Sequence, residues 1–541
     1  MLMPNAIVEP YATVQPGLSV QGVVKSPMLP SASSSDDESN HGGSFKSTPG
    51  GFGIGILYTV ALLLLDFLPI LMFAPIWGLM PIIVKDYSDF RQLSIGIIAM
   101  TVPGTVVGIF LYTAAIVILV RLANLAIRPG CHSWNSMTAF SAWLIHFLMM
   151  DIRATMFPIF ASLFTPHWLR LLGAKIGRNV ESSTVVPMPS LLTVHDNAFL
   201  ADDVLIAPFE LSNGRMRLGP VSVGNKTFLG NSAIVDPDIS VPDNSLIGVL
   251  GSAPGGLGEK QMSAGSSWLG RPPISLPRKI DANIDNSLTF APPTKLVLAR
   301  AAIESCRTIP LLLVGFIPAM ASLGTLWVMW RFGTGFGVLA AGALLMGAAF
   351  AAAIITIAAK WLLTPNVRAG STHPLWSSFV WRNELADSFL QSLALPLMVR
   401  YFYGTPVLAM FLRALGAKIG RGTWIESHLL PEADLCRVDD GATINRGSLM
   451  QTHLFHDRLM RLDEVELCKG ATLGPLTASL PGTVIGAGTT VYPVSLIMRG
   501  EHLPGSTRWR GNPVRPWNES DEEKSMGKAS RTSTWDSPSP V

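Results

Sequence analysis

The sequence predicts a membrane protein in which α-helical hairpins alternate with parallel β-helix domains built from six-residue repeats. Three observations lead to this fold class. Of 541 residues, 49% are hydrophobic and only 14% are charged, against about 25% charged in an ordinary soluble domain. Four apolar segments are near or above the roughly 20 residues that a bilayer crossing needs. The motif GAKIGR occurs at residues 173–178 and 416–421, and aliphatic residues recur at six-residue steps after both copies.

The charge balance and the cysteines exclude several classes of partner and site. The chain carries 40 Lys and Arg against 37 Asp and Glu, a net charge of +3, which does not indicate a nucleic-acid partner. The four cysteines form no CxxC pair, so neither a zinc site nor a disulfide framework is predicted, and reduced thiols facing a cytosol are expected. The N-terminus has no basic segment followed by an apolar core, so no cleavable signal peptide is expected.

The first 51 residues are predicted to contain two segments. Leu2, Val8, Val14 and Val20 keep a six-residue step, so residues 1–25 are predicted to be the last turns of a truncated β-helix. Its earlier coils are either missing, as in a fragment or gene-model product, or supplied by another polypeptide. Residues 26–51 include a stretch rich in Ser, Gly and charged residues, and are predicted to be a flexible linker.

Two hairpins of membrane helices are predicted, at residues 52–127 and 295–364. The first span is longer than a bilayer requires and contains three prolines, so tilting or kinking is expected. Basic residues gather near the span ends away from the short hairpin loops, which predicts that the soluble domains are cytoplasmic. Asp66, inside the first span, is either a functional contact or a contact between helices. The four spans cover residues 53–84, 95–120, 308–329 and 335–363.

Amphipathic helices at the membrane interface are predicted at residues 128–169 and 373–412. Apolar residues are interleaved there with charged ones. This pattern favours helices that lie along the interface over further membrane spans.

Two complete β-helices are predicted at residues 170–275 and 413–517, followed by a disordered tail at residues 518–541. A six-residue step fits one short strand and one turn per unit, with one aliphatic side chain stacked inward from each unit. Gly, Asn and Asp between these positions suit tight turns. The inward residues are predicted to be Val194, Leu200, Ile206, Val223, Leu229, Val235, Val241 and Ile247, then Val438, Ile444, Met450, Leu467, Leu473, Ser479, Ile485, Val491 and Ile497.

Because of several motifs, the sequence resembles the membrane-bound C-terminal region of the ε-poly-L-lysine synthetases, a family of non-ribosomal peptide synthetases. These motifs are the alternating hairpins and β-helices, the GAKIGR openings, and the strings HPLWSSFVWR, PEADLCRVDDGATINRGSLMQTHLFHDR and RWRGNP. The resemblance covers nearly all of residues 1–517. It implies left-handed β-helices of the hexapeptide-repeat acyltransferase type, in a membrane-bound enzyme that joins an acyl or aminoacyl group to an amine.

In that family an adenylation domain and a thiolation domain precede this region, and this sequence contains neither. The resemblance therefore implies a partner adenylation and carrier protein, or an additional N-terminal region. No bound cofactor is expected, and the acyl donor is expected to be a phosphopantetheine-carrier or CoA thioester supplied in trans. The acceptor is expected to be a small amine or an amino acid.

The candidate active site is the segment QTHLFHDR, which leaves the six-residue register after Met450. Acyltransferases of this type commonly use a histidine on such a loop to take a proton from the attacking amine. His453 is the candidate general base, with His456 or Asp457 as its orienting partner. An exposed, solvated loop of the same composition is the structural alternative. The candidate substrate-binding residues are Glu432, Asp434, Asn445, Gln451, Thr452 and Arg458.

A comparison of the two repeats tests these candidates. Alignment of the inward residues places Phe209 opposite His453, Ala201 opposite Asn445 and Ser190 opposite Asp434. The first complete β-helix is therefore predicted to be a scaffold or a substrate-positioning domain. Because soluble β-helix acyltransferases are usually trimers, three tandem copies would form an internal pseudo-trimer. A metal site at HLFHD is not predicted, because it lacks a clear third ligand.

Two functions compete at this point. One is acyl or peptidyl transfer from a carrier thioester to an amine at the cytoplasmic face of a membrane. The other is a non-catalytic membrane scaffold or export component for a partner synthetase. Removing His453 would abolish the first function and leave the second unchanged. A channel or transporter is disfavoured because Asp66 is the one full charge in the clear span interiors.

Overall fold

The computed structural model of the protein describes residues 7–8, 23–24, 52–206, 209–212, 214–255, 262–277 and 285–517. The predicted linker at residues 26–51 and the predicted tail at residues 518–541 lie outside these ranges, as does most of the predicted truncated β-helix. Two short strands of that first segment, β1 (Ile7–Val8) and β2 (Val23–Val24), pair in parallel.

Four helical segments in the described part of the chain are long and apolar enough to cross a membrane. They are Gly53–Met72, Phe90–Asn124, Thr294–Phe332 and Thr334–Leu363. The α-helices are α1 (Phe52–Phe67), α2 (Ala74–Ile83), α3 (Phe90–Asn124), α4 (Met137–Thr155), α5 (Thr165–Leu172), α6 (Thr294–Ser305), α7 (Thr308–Phe332), α8 (Thr334–Leu363), α9 (Ser378–Phe389), α10 (Leu395–Leu397) and α11 (Pro406–Ala414).

The first predicted span is broken into two helices. α1 ends at Phe67, and a 3-10 turn that contains Pro69 leads into α2. Proline interrupts the helix because it has no N–H to donate. α2 packs along α3, and a Cβ added to Gly108 of α3 would lie 1.9 Å from the carbonyl oxygen of Met72. Glycine permits this close approach between helices, as small residues do in membrane helix pairs.

The helices predicted at the membrane interface connect the hairpins to the β-helices. α4 packs against α3, and its side chains Ile145, Leu148 and Ile152 are fully buried. α9 packs against α6 and α8 and continues through a π-helical turn at Leu390–Ala394 into α10. Both segments are therefore covered by protein on the side where their apolar residues lie.

The first predicted β-helix, called the first β-helix region after that prediction, contains three parallel sheets of very short strands, and successive strands of the chain enter different sheets. The sheets are β4-β7-β12-β15, β5-β8-β13-β16-β17 and β6-β9-β14, and β18 extends the second in the antiparallel direction. The strands are β3 (Gly130–Ser133), β4 (Lys175–Ile176), β5 (Glu181–Ser182), β6 (Val186–Pro187), β7 (Leu192–Val194), β8 (Phe199–Leu200), β9 (Leu205–Ile206), β10 (Glu210–Ser212), β11 (Arg215–Leu218), β12 (Val221–Val223), β13 (Phe228–Leu229), β14 (Ile234–Val235), β15 (Ser240–Val241), β16 (Leu246–Ile247), β17 (Ser267–Leu269) and β18 (Ile274–Leu276).

The second β-helix region repeats this arrangement. Its parallel sheets are β20-β22-β27-β30-β33, β21-β23-β28-β31-β34 and β24-β29-β32, and β35 pairs antiparallel with β34. The strands are β19 (Thr372–Pro374), β20 (Lys418–Ile419), β21 (Trp424–Ile425), β22 (Cys436–Val438), β23 (Thr443–Ile444), β24 (Leu449–Met450), β25 (His453–His456), β26 (Leu459–Leu462), β27 (Val465–Leu467), β28 (Thr472–Leu473), β29 (Ala478–Ser479), β30 (Val484–Ile485), β31 (Thr490–Val491), β32 (Leu496–Ile497), β33 (His502–Leu503), β34 (Arg508–Arg510) and β35 (Arg515–Pro516).

The predicted inward residues form the core of both regions, and all of them are buried, including Ser479. The register of the parallel strands stacks these inward side chains on one another. Val194 lies beside Val223, and Val223 lies beside Val241, in neighbouring strands. The handedness of the winding stays a prediction.

One antiparallel hairpin leaves each β-helix region at the same place. β10 and β11 form it in the first region and pair with β3, whereas β25 and β26 form it in the second and pair with β19. The segment QTHLFHDR is therefore largely a β-strand of a half-buried hairpin, not a solvated loop. The edge strand that precedes each amphipathic helix fixes the hairpin against it.

The β-hairpin of the second region, β25–β26, packs against the first β-helix region. Phe455 lies beside Phe199, with 5.3 Å between the ring centroids. Val249 packs with Ala478 and Leu496 of the second region in a separate apolar cluster. The two regions therefore form one packed body, and a cavity lies between them.

Candidate active site

A cavity of about 780 Å³ lies between the two β-helix regions and the helices that join them to the membrane hairpins. Its walls include residues of β8, β24, β25, α4, α8 and α9. Its volume is within the range of about 300 to 1,000 Å³ that small-molecule sites occupy. The cavity is therefore large enough for an amino-acid derivative.

His453 lines this cavity at the start of the hairpin strand β25. Its Nδ1 lies 2.8 Å from Oε2 and 3.0 Å from Oε1 of Glu432. A carboxylate accepts, so Nδ1 carries the proton and Nε2 of the neutral ring is left as a proton acceptor. Within the described residues, no protein group is hydrogen-bonded to Nε2. His453 and Glu432 thus have the arrangement of a general base with an orienting carboxylate.

Glu432 is held in an unusual backbone conformation. Its φ of 38° and ψ of 64° are left-handed, which costs a residue with a Cβ roughly 1–2 kcal/mol. Asn383 Nδ2 donates to Oε1 at 2.6 Å, and Thr452 Oγ1 lies 2.6 Å from Oε2. The side chain is 1% exposed. Strained residues held by several contacts are concentrated at functional sites.

Burial and mutual attraction have opposite effects on the protonation of the two groups. Burial alone would raise the pKa of Glu432, but the charge of His453 and hydrogen bonds from His453, Thr452 and Asn383 lower that pKa. Burial alone would lower the pKa of His453, but the charge and hydrogen bond of Glu432 raise that pKa. Glu432 therefore stays ionised, and His453 accepts a proton more readily than a free histidine does.

Further carboxylates face the same cavity. Burial raises the pKa of Asp387 to about 6 and that of Glu384 to about 7. Glu384 pairs with Arg307, whereas Asp387 accepts a hydrogen bond from Gln391 Nε2 at 3.4 Å. Asp202, from the first β-helix region, accepts from the hydroxyl of Ser183. The carboxylates of Asp202 and Asp387 contribute to the raised pKa of His453, so both supply negative charge near His453.

A second histidine lies on the cavity wall. His428 Nδ1 is 2.6 Å from the hydroxyl of Tyr403, and the two rings are stacked. Burial lowers the pKa of His428 to about 4. His428 is therefore neutral near pH 7 and serves as a polar wall group.

The structure separates the residues predicted from the sequence into two groups. Glu432, Asp434, Gln451 and His453 line the cavity, and Thr452 contacts Glu432 from behind. Asp434 pairs with Lys360 at 2.7 Å. The remaining candidates, Asn445, His456, Asp457 and Arg458, do not line the cavity.

Asn445 donates to the carbonyl of Leu473 at 2.7 Å within a coil of the β-helix. His456 and Asp457 lie at the other end of the hairpin strand, with 3.4 Å between His456 Nδ1 and an Asp457 carboxylate oxygen. Arg458 is 1% exposed. Its guanidinium donates to the carbonyls of Asn179, Asn197 and Thr289. Glu432, not His456 or Asp457, orients His453 in this structure.

Several polar cavity residues were missed in the sequence, and four of them are Asp202, Asn383, Glu384 and Asp387. Three of them fall in the string RNELAD of α9, where polar side chains interrupt an apolar helix. That interruption fits the polar face of the predicted interfacial helix, and it equally fits a helix that lines a polar cavity. Asp202 follows a regular six-residue step and gave no separate signal.

The corresponding place in the first β-helix region is apolar. Met188 precedes a 3-10 turn at Pro189–Leu191 as Glu432 precedes the turn at Ala433–Leu435. Phe209 precedes β10 at the position of His453, and its ring contacts His146. Ala142, six residues after the N-cap of α4, corresponds to Asn383 in α9. The dyad and its hydrogen-bond donor are therefore absent from the described part of that region.

Comparison with known proteins gives one sequence relative of wide coverage, and no family model matches the chain. The chain is 32% identical over 402 residues to delta-poly-L-ornithine synthetase of Acinetobacter baumannii strain AB307-0294. This alignment covers 73% of the chain and 30% of that protein. The chain therefore spans less than a third of the length of this relative.

Solved structures give weaker matches. A putative acetyltransferase of Bacillus cereus is 18% identical, with 21% of this chain and 71% of that chain covered and a TM-score of 0.13. A serine acetyltransferase of Neisseria gonorrhoeae is 12% identical, with 37% and 90% covered and a TM-score of 0.18. TM-scores this low do not establish a shared overall fold. In sequence, however, most of the chain is similar to part of a poly-amino-acid synthetase.

Proposed function

We propose that the protein is a membrane-bound acyltransferase that joins a thioester-borne aminoacyl group to an amine. The observation that carries this proposal is the His453–Glu432 pair, which lies at the cavity and is held there by Asn383 and Thr452. A histidine whose pKa is raised by a buried carboxylate, and which therefore accepts a proton more readily than a free histidine, suits proton removal from an amine. The sequence similarity to a poly-amino-acid synthetase supports the same class of reaction.

The reaction follows from the position of the dyad. Nε2 of His453 accepts a proton as the amine nitrogen attacks the thioester carbonyl carbon, and Glu432 stabilises the resulting imidazolium. The new C–N bond forms and the C–S bond breaks. The proton then passes from His453 to the leaving thiolate, so the base is restored. General-base help of this kind contributes about 10²- to 10⁴-fold to a rate.

The electrostatics of the cavity support an acceptor with two amino groups. The attacking nitrogen must be neutral, whereas the carboxylates of Asp202 and Asp387 favour a charged ammonium. One nitrogen cannot be in both states, so a second ammonium balances these carboxylates. The relative is named for ornithine, which has two amino groups, and this supports a dibasic amino acid as acceptor.

The thioester donor is proposed to be a carrier phosphopantetheine or CoA thioester that another protein or domain supplies, within a system like the non-ribosomal peptide synthetases. The β-helices are proposed to be left-handed and cytoplasmic. The four apolar helices support attachment to a membrane.

The test uses the full chain purified in detergent with ornithinyl-N-acetylcysteamine thioester and free ornithine. We expect a dipeptide product, detected by mass spectrometry, whose rate of formation falls at least 100-fold in His453→Gln and Glu432→Gln. His502→Gln is the matched control, because His502 is an exposed histidine of the same β-helix. Equal rates in wild type and His453→Gln would contradict the proposed base, and absence of product with wild type would favour the scaffold alternative.

A further inference from the structure

The turn that carries Glu432 is held from two sides by residues of the second membrane hairpin. On one side, Lys360 of α8 reaches Asp434, two residues after Glu432, with 2.7 Å between Nζ and Oδ1. Lys360 is 8% exposed, although its position falls within a segment long enough to span a membrane. A buried ammonium is retained at such a site only when it is paired.

On the other side, the contact runs through α9. Arg307, next to the start of α7, pairs with Glu384 and donates to the carbonyls of Phe160 and Ala161 at 3.1 and 2.9 Å. Asn383 is the neighbour of Glu384 in the same helix turn, and it donates to Glu432. Arg307 thus fixes the part of α9 that presents the amide to the dyad.

The backbone of Glu432 requires this support. A left-handed glutamate relaxes toward an ordinary conformation unless its surroundings hold it. Such a relaxation would move the carboxylate away from His453 Nδ1, which it now meets at 2.8 Å. Asp434, which is paired with Lys360, is only two residues from the strained Glu432.

We propose that Lys360 is a positioning residue, which holds the Glu432 turn through Asp434, so that the second membrane hairpin forms part of the catalytic apparatus. This inference rests on the proposed function, because it concerns the same dyad. It assigns to the hairpin a role beyond attachment to the bilayer. Detachment of α8 from the turn would leave His453 in place and remove its orienting carboxylate.

The positioning role and a simple charge effect change the protonation of His453 in opposite directions. Loss of the Lys360 charge, with the turn unmoved, would raise the pKa of His453. If the turn relaxes, His453 loses its contact with Glu432, and burial then lowers the pKa. The other groups that face His453 are Asp387 on α9 and Asp202 on the first β-helix region, and neither contacts Lys360 directly.

The experiment compares Lys360→Met with wild type in the detergent assay with ornithinyl-N-acetylcysteamine thioester, over pH 5 to 9. We expect kcat to fall about 10- to 100-fold with KM changed less than twofold, because a displaced base affects the chemical step. We also expect the acid limb of the kcat profile to move to lower pH. Lys360→Arg keeps the charge and the reach, and it restores most of the rate.

Two further variants separate positioning from loss of folding. Lys360→Met combined with Asp434→Asn leaves no unpaired buried charge, so it restores thermal stability while the rate stays low and the acid limb stays shifted. Arg437→Met removes an exposed ion pair of the same β-helix and leaves the rate and the profile unchanged.

The outcomes distinguish this inference from the proposed function. If wild type is active and His453→Gln is not, but the acid limb of Lys360→Met is unmoved or moves to higher pH, the positioning role is wrong and the proposed function stands. If His453→Gln is as active as wild type, the dyad is not catalytic, and the inference is wrong together with the proposed function.

Discussion

His453 and Glu432 form a contact whose strength depends on pH in both directions. The pKa of Glu432 is lowered in the folded protein, so its contribution to stability is present above its unfolded pKa, about 4.3, and is lost as the pH falls through the folded value. The pKa of His453 is raised, so its contribution is present below its unfolded pKa, about 6.5, and is lost as the pH rises through the folded value.

We therefore expect the stability of wild type relative to His453→Gln to be greatest between about pH 4.5 and 6.5. Thermal unfolding of both proteins in detergent, followed by tryptophan fluorescence from pH 4 to 9, measures this difference. The stability difference between wild type and His453→Gln should shrink as the pH rises above about 7. The stability of His502→Gln should equal that of wild type at every pH. A difference that stays constant over this range would show that His453 and Glu432 are not coupled in the folded state.

At the scale of elements, the hairpin β25–β26 connects the second β-helix region to the first. Arg458 at its turn donates to three carbonyls outside its own region and lies over the ring of Phe290, 4.8 Å from the centroid. Burial lowers the pKa of Arg458 to about 10, which still leaves it charged at neutral pH. Arg458, which the sequence analysis predicts to bind substrate, therefore attaches the hairpin to the first β-helix region.

Arg458→Met should destabilise the protein by about 2–4 kcal/mol, because one buried and two partly buried carbonyl groups lose a donor. Urea unfolding in detergent measures the change in free energy, and Arg437→Met, an exposed position, should change it by less than about 0.5 kcal/mol. If Arg458 instead binds an anionic substrate, Arg458→Met would raise KM and leave the unfolding midpoint where it is.

At the scale of the whole molecule, the cavity belongs to both β-helix regions. Asp202 of the first region and Asp387 of α9 supply negative charge beside a dyad that belongs to the second. The first region, predicted as a scaffold or positioning domain, thus contributes a side chain to the cavity. Its own equivalent of the dyad is replaced by Met188 and Phe209.

Asp202→Asn should raise KM for ornithine about tenfold, because one charge of the ammonium-favouring part of the cavity is lost. The KM for a monoamine acceptor of similar length, such as norvaline amide, should change less than twofold. Initial rates over a range of each acceptor give both constants, with Asp243→Asn, in a turn of the same β-helix away from the cavity, as control. Equal effects on both acceptors would contradict a role for Asp202 in holding a second ammonium.

Much of the β-helix core was predictable, because one buried residue in every six leaves a periodic trace, as Val438, Ile444 and Met450 show. His453 was found because it interrupts that period. The carboxylate that orients His453 was not predicted correctly, because Glu432 reaches His453 only where a turn packs against the hairpin. Asn383 and Asp202 come from distant segments, and no pattern within either segment shows which side faces the cavity.

The shared cavity also has a consequence for how the protein comes into existence during synthesis. Asp202 is synthesised before α8, α8 must be inserted before Lys360 can meet Asp434, and His453 is synthesised after α8. No single segment contains the walls of the cavity. A nascent chain therefore has no assembled site until the β-hairpin β25–β26 has been synthesised and the two β-helix regions have packed together. Under the proposed function, chains that stop before His453, or whose second membrane hairpin fails to insert, would catalyse no acyl transfer.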